Sequence, residues 1–276
     1  MKNATIFIMF LIITSSCAER LHYQAGKSSV ETINGFEVIW NSNINERQKK
    51  IMTSIVESMK FVEGDVFIMG ENAERICDSP AHYVRLSDFY ISRIELSTKI
   101  IEQMWDKESK YGPRCSRDDW KSFISFLNVS TGLRFDLPTE AQWEYAAKGG
   151  RFSKHYVYSG SNNIEDVRIS SIEESENCVA NELGLMNMSG GLHEWCKDSY
   201  RDYNDLYSVD PCIRGGEYLV VRGGGIKSYG EYSNFNKESN FSWCMKDSRM
   251  CKVTSRARCE IDYTSNDIGC RLVINL

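Results

Sequence analysis

The chain has no C-x-x-C pair, although it carries 10 cysteines in 276 residues. That absence argues against a zinc ribbon or a thioredoxin-type dithiol, which need closely spaced thiols. Histidine is scarce: His22, His82, His155 and His193 are scattered along the chain. Positive charge is not in excess, since 33 Lys and Arg against 38 Asp and Glu leave a net charge of −5. No nucleic-acid partner is expected on that balance. The apolar run Ile6–Ile13 near the N-terminus is too short to span a bilayer.

What is present is a globular composition, 42% hydrophobic and 26% charged, enough for one large domain or two small ones. The aromatic content is high, with 6 Trp, 14 Tyr and 12 Phe. Some of these rings belong to a core and others suit a binding surface. Lys2, the apolar run and the small residues Thr14-Ser15-Ser16 before Cys17 read as a targeting segment covering residues 1–17. It resembles a bacterial lipoprotein signal, in which Cys17 would be lipidated. The chain would then be exported and membrane-anchored rather than spanning. Thr14 stands where that signal usually has Leu, so cleavage by an ordinary signal peptidase is the alternative. Nine cysteines follow, an odd number, so at least one thiol is unpaired or intermolecular if disulfides form.

Residues 18–42 read as a tether with a short strand at Phe36–Trp40, and residues 43–276 as the main domain. Asn45 with Gln48 predicts a helix start, followed by Ile51, Met52, Ile55, Val56 and Met59 on one face. Met59–Gly70 reads as a hairpin about Gly64, and Tyr83–Leu86 with Phe89–Ile91 as the next strand pair. His82 is taken as structural. Ser97 is expected to cap a helix burying Ile100, Ile101, Met104 and Trp105. Ser116 with Asp119 opens a second, whose Trp120, Phe123, Ile124 and Leu127 form a core stripe ending at Thr131-Gly132. Thr139 and Gln142 form a capping box for a helix that turns Trp143, Ala146 and Ala147 inward and stops at Gly149-Gly150. Glu140 and Glu144 share a face of it. They are expected to be solvated or structurally paired, not an acid–base couple. The acidic run Glu173–Glu176 reads as solvated surface.

Asn187-Met-Ser-Gly-Gly-Leu-His-Glu-Trp195 joins a glycine turn to two oxygen-bearing side chains, which suits a hard cation, although taken alone such a stretch is more often an ordinary turn. Three further stretches accompany it: Phe67-Ile-Met-Gly70, Leu137-Pro-Thr-Glu-Ala-Gln-Trp-Glu-Tyr-Ala-Ala-Lys-Gly-Gly150, and Val221-Arg-Gly-Gly-Gly225 with Gly269-Cys-Arg-Leu-Val273. In this order they resemble the formylglycine-generating enzyme (sulfatase-modifying factor) family from about Phe61 to the C-terminus. Asp136 departs from the family's usual Arg. The resemblance implies an α+β, C-type-lectin-like fold of short mixed strands, few helices and much irregular backbone.

It also implies a Ca²⁺ site at Asn187, Gly190, Leu192 and Glu194, with His193 and Gly191 replacing the usual Trp and Asn beside the ligands. The family's other Ca²⁺ loop has no counterpart in residues 151–180. Family oxidases hold copper(I) between two cysteines, because the soft ion selects thiolates. Counting from Gly223-Gly224-Gly225 puts Ser228 and Ser233 there; counting back from Arg256 gives Trp243 and Ser248. Cys244 with Cys251 is the fallback pair, and copper is not expected. A three-His iron site of other enzymes with this domain has no matching spacing. The segment that replaces the copper site interleaves Tyr229, Tyr232, Phe235, Phe241 and Trp243 with Ser, Asn and Gly, the composition of a recognition loop for a protein or glycan ligand. The leading expectation is an anchored binding or accessory protein without oxidase activity. An active oxidase and a structural envelope lipoprotein are the alternatives.

Overall fold

A computed structural model describes residues 29–72, 78–105, 113–169, 178–225 and 248–276. Cys17, Ser228, Ser233, Cys244, the Glu173–Glu176 run and the loop aromatics Tyr229, Tyr232, Phe235, Phe241 and Trp243 lie outside these residues. No described helix is long and apolar enough to cross a membrane.

The chain enters through a two-stranded antiparallel ribbon, β1 (Ser29–Ile33) and β2 (Phe36–Trp40). Helix α1 (Glu46–Glu57) starts at the expected capping box of Asn45 and Gln48 and buries Met52, Ile55 and Val56. Met59 is not on that helix; it opens β3 (Met59–Val62). The expected hairpin does not form, because β3 and β4 (Val66–Met69) join different sheets. Gly64 lies where a Cβ would collide with the backbone of Leu86 and Ser87, so the chain crosses rather than folds back. The next expected strand pair separates in the same way. Strand β5 (His82–Arg85) pairs with β4, and β6 (Phe89–Ser92) pairs with β3.

Helix α2 (Lys99–Met104) is short and capped at Thr98 instead of Ser97, without a side-chain cap bond. It buries Met104 but leaves Trp105 40% exposed, so the four-residue stripe is only partly realised. Helix α3 (Arg117–Thr131) matches expectation at both ends. Ser116 and Asp119 cap it reciprocally, and Gly132 closes it in the left-handed region at φ 72°. Its Trp120, Phe123, Ile124 and Leu127 are buried. After β7 (Phe135–Asp136), helix α4 (Glu140–Ala147) follows its Thr139–Gln142 capping box. Every residue of α4 is buried, so it is a central pillar with no solvated face.

The remaining strands are β8 (His193–Ser199), β9 (Ser208–Val209), β10 (Tyr218–Arg222), β11 (Ala257–Glu260), β12 (Ile268–Cys270) and β13 (Val273–Asn275). One sheet has the order β11-β10-β8-β12, the second β3-β6-β13-β7 and the third β4-β5-β9. The β12–β8 and β5–β9 pairings are parallel and the others antiparallel. One apolar cluster joins α1 and α3 to β2, β8 and β10 through Trp40, Trp120, Leu127 and Trp195. A second packs α4 on the sheets through Trp143, Ala146, Val84 and Val220. The expected α+β architecture is therefore observed: short strands, four α-helices and long irregular connections among the described residues.

Leu127 is fully buried, so Leu127→Ala should cost about 2–5 kcal/mol in urea unfolding. Val129, on the same helix but 44% exposed, should tolerate alanine within about 0.5 kcal/mol.

Candidate functional site

Beside α4 lies a knot of buried guanidinium and carboxylate groups. Arg271, between β12 and β13, is fully buried. Its Nε and Nη2 donate to Glu194 of β8 at 3.1 and 2.8 Å, and its Nη1 and Nη2 donate to the carbonyls of Ser92, Arg93 and Met186. The indole of Trp143 donates to the same Glu194 carboxylate at 2.7 Å. Glu194 is thus held in place from α4 on one side and from β12–β13 on the other. Charge-assisted bonds of this kind are the stronger class, and a buried carboxylate requires them.

The four residues expected to bind Ca²⁺ lie along the turn that enters β8. Asn187 adopts φ 61° and Gly190 φ 83°, both in the left-handed region. Asn187 Oδ1 accepts from the Cys178 thiol at 2.6 Å. The loop's carbonyl side meets a residue that sequence reasoning missed, Glu95. A methyl group built on Gly191 would stand 2.7 Å from both Glu95 Oε1 and the Asn187 carbonyl oxygen. These oxygens therefore converge where glycine leaves room. Neither Glu95 oxygen has a hydrogen-bond partner among the described residues, and its nearest cation, Arg271 Nη2, is 3.7 Å away. Burial pushes the Glu95 carboxyl up to about 7; Arg271 opposes that rise and Glu194 adds to it.

A hard cation wants oxygens not already saturated. By that test the donor set fits through Glu95 and the Asn187 carbonyl, while Glu194 spends its oxygens on Arg271 and Trp143. The one sequence signal for Glu95 was a carboxylate set between Ile94 and Leu96, just beyond a buried strand.

The second part of the knot fixes α4. Arg256 grips Glu140 with two bonds of 2.6 and 2.7 Å and lies over Tyr203, 3.7 Å from the ring centre. Arg222 bonds to Glu144 and reaches Glu140 at 3.3 Å. Glu144 also accepts from Lys148 at 2.6 Å and from the Gly70 amide at 2.7 Å. Burial alone would raise the Glu144 carboxyl, but Lys148, Arg222 and the Gly70 amide together hold it below the usual range. Of the two expected roles for Glu140 and Glu144, solvated or structurally paired, the second is found. Asp136, at the position of the family's usual Arg, pairs with Lys197 at 2.5 Å.

Cys251 of the fallback pair is buried, with its thiol against Gly224. The imidazole of His193 packs on Gly225, and burial lowers its pKa to about 4, so the ring is neutral at physiological pH. His82 Nδ1 lies 3.0 Å from the Pro80 carbonyl and the ring meets Tyr203 edge-on, a packing role. Among the described residues Cys196, Cys212 and Cys270 are free thiols, and burial holds the Cys196 and Cys270 thiols well above the usual range.

Short mixed strands about a buried helix, tied by arginine–carboxylate pairs, define a formylglycine-generating-enzyme-like, C-type-lectin-like domain. Solved structures agree on the fold. Treponema denticola variable protein 1 superposes with a TM-score of 0.63 at 18% identity, covering 91% of this chain and 100% of that one. PvdO from Pseudomonas aeruginosa gives 0.59 at 17% identity, covering 79% and 94%. Residues 104–276, well over half of the chain, match the family described as the sulfatase-modifying factor enzyme 1-like domain, and the chain belongs to that family. Chaperone protein LppX of Paenibacillus barcinonensis is 39% identical over 207 residues, 52% of this chain and 72% of the relative. The formylglycine-generating enzyme of Streptomyces coelicolor is 30% identical over 151 residues, 47% of this chain and 48% of the relative, so the chain spans about half of that protein.

Asp198 gives this region a pH dependence. Its carboxyl accepts from the Glu140 amide at the start of α4 and from the Ile213 amide. Burial pushes it up to about 6, the Glu140 carboxylate adds to the rise, and the two amides and Arg256 pull the other way. A raised carboxyl favours the neutral form in the fold. Its contribution is thus complete below the unfolded value of 3.8 and is lost as pH climbs through about 6. Urea midpoints measured across that window should fall further for the wild type than for Asp198→Asn, which cannot ionise.

Proposed function

We propose that this chain is an exported, membrane-anchored binding or accessory protein built on a sulfatase-modifying-factor domain, without oxidase activity. The observation that carries the reading is chemical. The positions counted from Gly223-Gly224-Gly225 hold Ser228 and Ser233, and a hydroxyl cannot supply the thiolate that copper(I) selects. A relative named as a chaperone is compatible with an accessory role. The apolar leader ending at Cys17 supports the anchor, with its acyl chains in the membrane and the domain outside the cytoplasm. The segment carrying Tyr229, Tyr232, Phe235, Phe241 and Trp243 supplies rigid rings and small polar groups for a ligand surface.

Ca²⁺ belongs to the same reading as a structural ion. Asn187 and Glu95 would hold it together with the backbone carbonyls of Gly190 and Leu192, and Glu194 would contribute field more than a free ligand oxygen. Bound there, the ion would neutralise the Glu95 carboxylate and fix the turn into β8.

Purified protein loaded with copper(I) should not convert the cysteine of a C-x-P-x-R peptide, as followed by mass spectrometry. Robust turnover would overturn the proposal in favour of the formylglycine-generating activity that names the Streptomyces coelicolor relative, and Cys244→Ser with Cys251→Ser would then have to abolish it. Ca²⁺ at a hundredfold over its Kd should add ~2.7 kcal/mol of stability by mass action, read as a rise in thermal midpoint that a chelator reverses. Glu95→Gln should remove most of that rise. A midpoint indifferent to Ca²⁺ and chelator alike would sink the ion.

A further inference from the structure

Away from the knot, the outer face of the β4-β5-β9 sheet, the end of α4 and the stretch Lys252–Thr254 enclose a groove of about 700 Å³. That is within the range of small-molecule sites. Ile68 and Tyr83 are cross-strand partners on this face and are 49% and 58% exposed. Phe67 and Tyr156 add two half-buried rings to the lining. Thr254 also lines the groove, 7% exposed, and its hydroxyl has no hydrogen-bond partner among the described residues. A buried hydroxyl without a partner costs free energy that a ligand's polar group would recover.

The charges around the groove are balanced rather than of one sign. Lys252 pairs with Glu71 at 3.3 Å and Arg151 with Glu63, while Asp65 on the lining offsets Lys148, whose partner Glu144 is shared with Arg222. Such pairs present donors and acceptors side by side without a net field, which does not favour an ionic ligand. An extended peptide adding to β4 by main-chain bonding meets an edge already occupied. The Val66 amide donates to Asp65, the Ile68 carbonyl accepts from Lys148, and the Gly70 amide donates to Glu144.

We infer that this groove binds an uncharged, hydroxyl-rich carbohydrate. Tyr83 and Tyr156 would stack on the sugar faces, while Thr254 and the Lys252–Glu71 pair exchange hydrogen bonds with sugar hydroxyls. The inference rests on the binding-protein reading above and gives it a ligand class and a location.

Isothermal titration of the full chain without its leader, against maltohexaose, cellohexaose and the N-acetylglucosamine hexamer, tests it. At least one should bind, with a Kd unchanged when salt is raised past the level that screens surface charges. Tyr83→Ala should weaken that binding about tenfold while leaving the thermal midpoint in place. Thr254→Val, which keeps the shape and removes the hydroxyl, should weaken it by a similar factor, on the order of tenfold. Binding by none of the three sugars, or binding indifferent to both substitutions, or a salt-sensitive preference for acidic sugars would each overturn it. Failure here is separable from failure of the parent reading: a chain that binds no sugar and converts no cysteine peptide loses only this inference.

Discussion

Arg271 reaches Glu194 in β8, the carbonyls at the end of β6 and the carbonyl of Met186 before the Asn187 turn, all from a position without solvent access. One side chain thus ties two sheets and the loop between them. The arrangement holds because every polar atom has a partner. Taking a guanidinium and a carboxylate out of water costs several kcal/mol per ion, and only good geometry with supplementary hydrogen bonds offsets it. Trp143 supplies one of those bonds to Glu194, and the carbonyls of Ser92, Arg93 and Met186 supply the rest. Removing either partner would leave an uncompensated charge in the interior, with a cost of about 3–5 kcal/mol. The same logic explains why α4 can be buried on all sides. Its two carboxylates are answered by Arg222 and Arg256, which arrive from β10 and from just before β11.

Glu95 is the carboxylate of the knot that has no close cation of its own. It shares Arg271 with Glu194 at a longer distance, and the Asn187 side chain is its other polar neighbour. With two carboxylates near one guanidinium, the local balance favours either a proton on Glu95 or an added cation. Which one prevails is a competition between pH and free ion concentration, so a hard cation at this turn would be coupled to protons. The Asn187 turn, with two residues held in the left-handed region, supplies the bent backbone that exposes its carbonyls to such a partner.

Local rules of the sequence translated well where the answer is local. The capping boxes at Asn45, Ser116 and Thr139 each involve residues three apart, and all three form. The α3 stripe is legible for the same reason, since helical periodicity is set by the helix itself. Strand pairing was not legible, because alternation marks a strand without naming its partner. Met59–Met69 has the alternation of a hairpin, yet a close approach of the Leu86–Ser87 backbone to Gly64 sends its halves to different sheets. Glu140 and Glu144 could be recognised as one helical face, but their partners stand 116 and 78 residues further on. Glu95 was invisible for the same reason, its nearest cation being Arg271. Family motifs closed part of that gap: Gly269–Val273 and Val221–Gly225 are the segments that deliver Arg271 and Arg222.

The division of labour within the fold follows from this. Residues that match the family motifs, Trp143, Glu144, Glu194, Arg222 and Arg271, are spent on holding buried elements together and are fully buried. The groove side chains of Ile68, Tyr83 and Lys252 take no part in that network, although the backbone of Gly70 and Val253 does, so these side chains can vary in chemistry without undoing the scaffold. A domain whose buried charges answer one another inside the fold can change its surface chemistry at low cost. The surfaces to examine for ligand contact are then those whose side chains the knot does not use.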